Sequence, residues 1–279
     1  LPRAYAPGER PEHPAYQHLR SMKGIGDLGA EHEAMLRRVA AGYFGLVTHL
    51  DEQIGAVMDV AESLGLMDNT RLAYTSDHGE SYGHHGLFGK CQLLETAAAV
   101  PLLMSGPGIA PGQKIDQVVS QVDLFPTIVE TVGAAADESM QDLSGSSLWP
   151  ALDGVEADRL GFGEYHASCS KTGSFFLRRG DHKLIYHAHM PRELYDLSAD
   201  PHEVRDLLLD STDQSAKALA DDLEAELRAV CDPESVNARA KADQRDRVNE
   251  LGGNDVIASM GALTRTPPPG TDVVLDKTG

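Results

Sequence analysis

Between Thr75 and Pro101 the chain reads TSDHGESYGHHGLFGKCQLLETAAAVP. This short stretch holds a carboxylate (Asp77), an adjoining imidazole (His78), a glycine-flanked histidine pair (His84, His85) and a lysine (Lys90). A carboxylate binds hard cations, and a neighbouring imidazole can add a nitrogen ligand. Adjacent residues of a strand point to opposite sides, so Asp77 and His78 reach one ion only if the chain turns there. Gly79 permits that turn. Lys90, thirteen positions after Asp77, is a compact point charge with three donors, suited to a tetrahedral oxyanion. The intervening glycines let it fold back toward Asp77. His85 is the candidate to donate to that anion or to protonate a leaving group. Taken singly, each residue has a plainer account: a turn cap, a surface histidine, a solvated lysine.

The flanking segments must position these groups. Upstream, Met35, Leu36, Val39, Tyr43, Leu46, Val47, Leu50, Ile54, Val57, Met58 and Ala61 follow helical spacing. This predicts one long helix from Ala30, closed near Gly65. Arg71–Ser76 then reads as a short buried strand ending at Asp77, and Val100–Ser105 as a second strand. In open α/β sheets ligands sit beyond the carboxyl ends of strands. Asp123 is the expected N-cap of a short helix, LFPTIVETVG. Residues 1–29, rich in proline and glycine, read as loop.

Further on, Gly163–Ala167, Phe175–Arg179, Lys183–His187 and Glu193–Leu197 are strand candidates, with Arg179-Gly180-Asp181 as a turn. Together they predict a small antiparallel sheet. A helix is expected over Asp213–Cys231, with Leu219, Leu223, Leu227 and Val230 on one face. A polar helix follows over residues 236–251, and the Pro267–Gly270 tail reads as extended. His187, His189 and His202 lack ligand-like spacing and read as surface histidines.

Composition narrows the function classes. A chain of 279 residues, 41% hydrophobic and 24% charged, is ordinary for a globular protein with one large or two smaller domains. A net charge of −19 argues against nucleic-acid binding, which needs a basic footprint. No apolar run is long enough to span a bilayer, so no membrane partner is expected. Cys91, Cys169 and Cys231 form neither a disulfide framework nor a zinc knuckle. Their scarcity favours a cytoplasmic location.

In order, S-D-H-G, G-x-H-G-L-F-G-K, a glutamate, V-P-L-L and G-P-G resemble the second metal-binding motif of the sulfatases of the alkaline phosphatase superfamily. VDLFPTIVETVG, GSSLWPAL, GEYHA, FFLRRGDHKLIYH and ELYDLSADPHEVRDL extend the resemblance from about Tyr43 onward. It implies an α/β fold: the C-terminal part of the sulfatase sandwich, a mixed sheet flanked by helices, plus a small antiparallel-sheet subdomain. Residues 1–157 would belong to the catalytic domain with a metal half-site, and residues 158–279 to the C-terminal subdomain.

The resemblance further implies that Asp77 and His78 are metal ligands and that Lys90 contacts the bound sulfate. The expected ion is calcium, with manganese as the alternative, since an imidazole nitrogen suits a transition metal better. Tyr165 and His166 would border the substrate opening. Two departures stand out. Ala99 replaces an arginine common in relatives. None of the three cysteines lies in C/S-x-P-x-R, the motif whose cysteine or serine becomes formylglycine. The paired aspartates that would complete the metal site are also not recognisable, so the nucleophile and remaining ligands are expected from a missing N-terminal region.

The expected activity is hydrolysis of a small-molecule sulfate ester. The alternatives are a phosphonate monoester or phosphodiester hydrolase and a truncated, non-catalytic protein. A homo-oligomer stays open.

Overall fold

The computed structural model describes residues 1–259 apart from 7, 11, 23–27, 29, 135–141, 168 and 211. The tail at Pro267–Gly270 therefore lies outside the described residues. By contact density the chain divides into residues 1–233 and 234–279.

The first unit begins with a helix that the sequence reading missed. Helix α1 spans Pro14–Met22 inside the segment expected as loop. Its proline occupies the first turn, where the missing N–H has no helical partner to lose. Tyr16 and Leu19, three residues apart, are both buried. After a 3-10 turn at Ala30–His32, helix α2 runs unbroken over Glu33–Ser63. Gly65 follows in the left-handed region at φ +68°, and its N–H bonds the Glu62 carbonyl. Of the 31 residues in α2, Leu36 alone is buried.

Strand β1 (Leu72–Thr75) leads into the 77–90 segment. A single helical turn, α3 (Glu95–Ala98), then precedes β2 (Leu102–Ser105). β1 and β2 pair antiparallel, with Leu72 opposite Ser105 and Thr75 opposite Leu102. Helix α4 spans Leu124–Thr131 and the short α5 spans Trp149–Leu152. Asp123 precedes α4, but its carboxylate does not cap that helix. It accepts instead from Ser120 N–H (2.7 Å) and Ser146 N–H (2.9 Å) and pairs with Arg159 at 2.6 Å. It thus closes the preceding 3-10 turn and staples a distant loop.

Strands β3 (Leu160–Tyr165), β4 (Ser174–Arg179), β5 (His182–His187) and β6 (Glu193–Asp196) form an antiparallel sheet in that order. The β4–β5 hairpin pairs Arg179 with His182. Helix α6 (Gln214–Val230) covers β4 and β5. Asp213 caps it, accepting at 3.0 Å from both Ser215 N–H and Ala216 N–H. Phe175, Leu177, Leu184, Ile185, Leu194 and Tyr195 of the sheet are fully buried, as are Ala220, Leu223 and Leu227 of α6. Tyr16, Leu19, Leu87, Leu93 and Leu94 join Ile185 and Tyr195 in one cluster. Through it the segment carrying Lys90 rests on the sheet.

In the second unit, α7 begins at its edge and spans Pro233–Glu250, and α8 spans Asn254–Ser259. α7 is polar around its circumference, as its sequence indicated.

Candidate functional site

β1 delivers the chain to Asp77 and His78, and a tight passage follows. A Cβ on Gly79 would lie 2.2 Å from the Thr96 carbonyl oxygen, so only glycine fits there. The Gly79 N–H bonds Ala97 O at 2.8 Å, fixing the turn against α3. The loop beyond is closed by its own backbone: Ser81 N–H to Gly89 O (3.0 Å) and Gly83 N–H to Leu87 O (2.7 Å). Glu80 accepts from Gly89 N–H at 2.5 Å and from Tyr82 N–H at 3.0 Å. These bonds bring Lys90 back beside the end of β1.

The structure brings Asp77, His78 and Lys90 together. His78 Nδ1 lies 2.8 Å from Gly79 O, a contact that requires Nδ1 to carry the hydrogen. In the neutral ring this leaves Nε2 with its lone pair, 3.3 Å from Asp77 Oδ2. Lys90 Nζ reaches the same His78 Nε2. Burial, the largest single influence, raises the Asp77 carboxyl pKa, but the His78 N–H, its own backbone N–H and the positive charges nearby together hold it below its usual value. A carboxylate oxygen and an imidazole nitrogen at this spacing suit two adjacent positions around one divalent ion. The carbonyl that orients the ring is the outer partner a metal-bound histidine ordinarily has. These residues therefore fit a metal as half of its ligand set.

The three groups open onto a cavity of about 570 Å³ that Glu164 and Tyr165 of β3 and Arg178 of β4 also line. Arg178 pairs with Glu95 at 3.2 Å. Glu95 also pairs with buried Lys183 at 2.7 Å, and Lys183 with buried Glu203 at 2.9 Å. Glu203 accepts from Glu95 N–H at 2.5 Å. Burial pushes the Glu203 carboxyl up, against the pull of Lys183. Sequence reasoning noted the glutamate after Lys90 but missed this network. A lysine inside an otherwise apolar strand, KLIYH, was the available signal.

His85 does not join this cleft. It sits at φ +55° in the 3-10 turn His84–Gly86 and is buried. Its Nε2 faces His202 O at 2.8 Å, its N–H bonds Arg3 O at 3.1 Å, and its carbonyl accepts from Arg20 at 3.1 Å. Burial lowers its pKa. In this geometry it anchors the loop.

His187 is buried rather than on the surface, a correction to the sequence reading. Its ring stacks on His13 at 4.4 Å between centroids. Donor atoms of His13, His187 and Glu193 lie within 4.8 Å of one another, as a metal would require. They are already engaged, however. His187 Nε2 bonds Glu193 (2.9 Å) and its Nδ1 bonds Ser174 (2.8 Å). Glu193 accepts from Tyr16 (2.8 Å) and Tyr195 (2.6 Å). His13 bonds Pro191 O (2.9 Å) and Ala15 N–H (3.2 Å). The cluster works as a satisfied polar clamp between α1 and the sheet.

The chain is similar to known proteins over most of its length. The family model described as Sulfatase matches residues 5–134, and that described as N-sulphoglucosamine sulphohydrolase, C-terminal, matches residues 83–232. The chain is 36% identical over 175 residues to a choline-sulfatase of Rhizobium meliloti (strain 1021), covering 63% of this chain and 34% of that protein. It is also similar to a protein solved in complex with its substrate, D-glucosamine-2-N,6-O-disulfate: 30% identity, TM-score 0.60, covering 67% of this chain and 40% of that one. A phosphonate monoester hydrolase of Agrobacterium radiobacter aligns with TM-score 0.57 at 25% identity, over 67% of this chain and 40% of that one. The chain spans 34–39% of the length of the curated relatives it matches first.

Proposed function

This chain belongs to the sulfatase family, and from that premise we propose that it supplies the metal- and anion-binding side of a sulfate-ester hydrolase site. The observation that carries this is the convergence of Asp77 Oδ2, His78 Nε2 and Lys90 Nζ at one mouth of the cavity.

Asp77 and His78 would hold the divalent metal as two of its ligands, calcium or manganese. When bound, the ion supplies charge that offsets the sulfuryl oxygens. Lys90 donates to a sulfuryl oxygen, and its positive charge grows in value as negative charge builds there. The Gly79 turn and the Glu80-pinned loop keep Lys90 in place, so little reorganisation is needed on binding. Glu164, Tyr165 and Arg178 on the opposite wall face the organic part of the ester. A formylglycine, contributed by residues outside this chain, would supply nucleophilic attack on sulfur. In this assignment residues 1–157 carry the metal half-site, and the C-terminal subdomain starts at residue 158, with β3 and β4 walling the cleft. Among the described residues no helix is long and apolar enough to cross a membrane.

The test is turnover of aryl sulfate beside aryl phosphodiester by the protein purified from its native source, with bound metal measured in parallel. Preferred turnover of the sulfate supports the proposal, as does loss of bound metal in Asp77→Ala and His78→Ala. Preferred turnover of the phosphodiester favours the phosphonate monoester hydrolase reading, for which the Agrobacterium structure is the supporting likeness. No turnover of either ester, with no bound metal, would leave a non-catalytic family member.

A further inference from the structure

Two cysteines to which this chemistry gives no role line one small cavity. Cys91 directly follows Lys90, and Cys169 lies in the connection between β3 and β4. Burial raises the pKa of the Tyr165 phenol at the end of β3, and Cys91 and Cys169 both add to that rise. Cys91, Tyr165 and Cys169 all pack, half-buried, against the same apolar cluster. The two cysteines line one small cavity of about 20 Å³. Each holds a left-handed backbone, φ +58° at Cys91 and φ +64° at Cys169. A non-glycine residue keeps that conformation only where its surroundings hold it. All three cysteines of the chain are thiols in this structure.

We propose that Cys91 and Cys169 form a reversible dithiol–disulfide couple that, when oxidised, ties the Lys90 loop to the β3–β4 connection. Neither residue lies in a strand ladder, so closing the bond breaks no strand pairing. The oxidant class is a low-molecular-weight disulfide such as oxidised glutathione. One protein thiolate attacks a sulfur of that disulfide and expels one glutathione thiolate, leaving a mixed disulfide. The second protein thiolate attacks the protein sulfur of the mixed disulfide and expels the other glutathione. The protein loses two electrons and two protons, and the small disulfide gains both. The bond would join a residue adjoining the anion-binding lysine to the connection that follows β3, so oxidation would restrict movement of the Lys90 loop. The couple stands independently of the hydrolase assignment.

The experiment equilibrates the full chain in glutathione buffers from fully reduced to fully oxidised. Titratable thiols are then counted, and peptides are mapped without reduction. The expected result is loss of two of the three thiols and appearance of a linked Cys91–Cys169 peptide pair, reversed by excess dithiol. Cys231→Ser should leave that linked pair unchanged. Cys169→Ser should stop Cys91 at the mixed disulfide with glutathione. The proposal is overturned if the oxidised buffer leaves both thiols titratable, or yields only separate glutathione adducts on Cys91 and Cys169.

Discussion

The four-stranded sheet with α6 and the β1–β2 pair with α2 and α4 are built from similar proportions of apolar residues, yet they use them oppositely. In the first, Phe175 and Leu184 are 0% exposed. In the second, Leu46 is 69% exposed, Val57 71% and Ile128 58%. Burial contributes roughly 25 cal/mol per Å² of apolar surface removed from water, so the sheet and α6 stabilise themselves while α2 gains little within this chain. The candidate site lies where the two regions meet. Asp77, His78 and Lys90 come from the open side, and Glu164, Tyr165 and Arg178 from the packed side. The candidate site thus draws its charged groups from the less self-sufficient region and rests on the better-packed one.

The sharpest separation of the two regions is expected from substitutions that touch chemistry on one side and packing on the other. Lys90→Ala in the intact enzyme should lower kcat by about 10²–10³-fold, the scale for losing one preorganised charge-stabilising donor. Its melting temperature should stay unchanged, because the lysine side chain is exposed. Full retention of kcat would remove Lys90 from the mechanism. Lys183→Met should do the reverse. It leaves Glu203 and Glu95 without their shared cation, and breaking such a buried pair costs about 3–5 kcal/mol. Urea unfolding measures this, and a loss below about 1 kcal/mol would mean the network contributes little.

Matched truncations test the packing contrast directly. Leu184→Ala should cost about 2–5 kcal/mol, whereas Leu46→Ala should stay within about 0.5 kcal/mol in this chain. Equal losses would show that α2 is covered in solution.

The smallest effect concerns pH. His13, His84 and His85 are buried, and burial lowers the pKa of each, that of His84 to about 4. The unfolded chain therefore binds protons at these sites before the folded one does, below about pH 6.5. Their contribution is complete above that value and is lost as pH falls toward the folded values. Glu203, held above its usual value by burial, takes up its proton early and opposes part of that loss. The melting temperature should drop on acidification, and His84→Gln should shallow that drop. A flat profile would contradict neutral, buried histidines.

Local pattern made much of this legible. The four antiparallel strands appeared within a few residues of their predicted positions because alternation and the Arg179-Gly180-Asp181 turn are local signals. Asp77, His78 and Lys90 were singled out by residue type and motif order, and the structure brings their side chains together. His85 was not separable from them by spacing alone. A one-residue change in a turn sends a side chain inward, and only the His202 carbonyl and the Arg20 contact reveal that direction. Helix α1 was missed because the prolines at and before its start read as breakers, although Pro14 occupies the one helical turn that tolerates it. His187 looked like a surface histidine because its partners are distant in sequence: Glu193 on the next strand, and His13 and Tyr16 near the chain's start.

By itself, then, the sequence determined what hydrogen bonding and side-chain periodicity settle over a few turns: the long α2, the strands, α6, and the order of the candidate metal- and anion-binding residues. Tertiary structure alone decided which of those residues share a cavity, which histidine is walled off from it, and that Cys91 and Cys169 line one small cavity. The physical reason is that burial and long-range ion pairs depend on the sum of contacts from segments far apart in the chain. No local pattern encodes that sum.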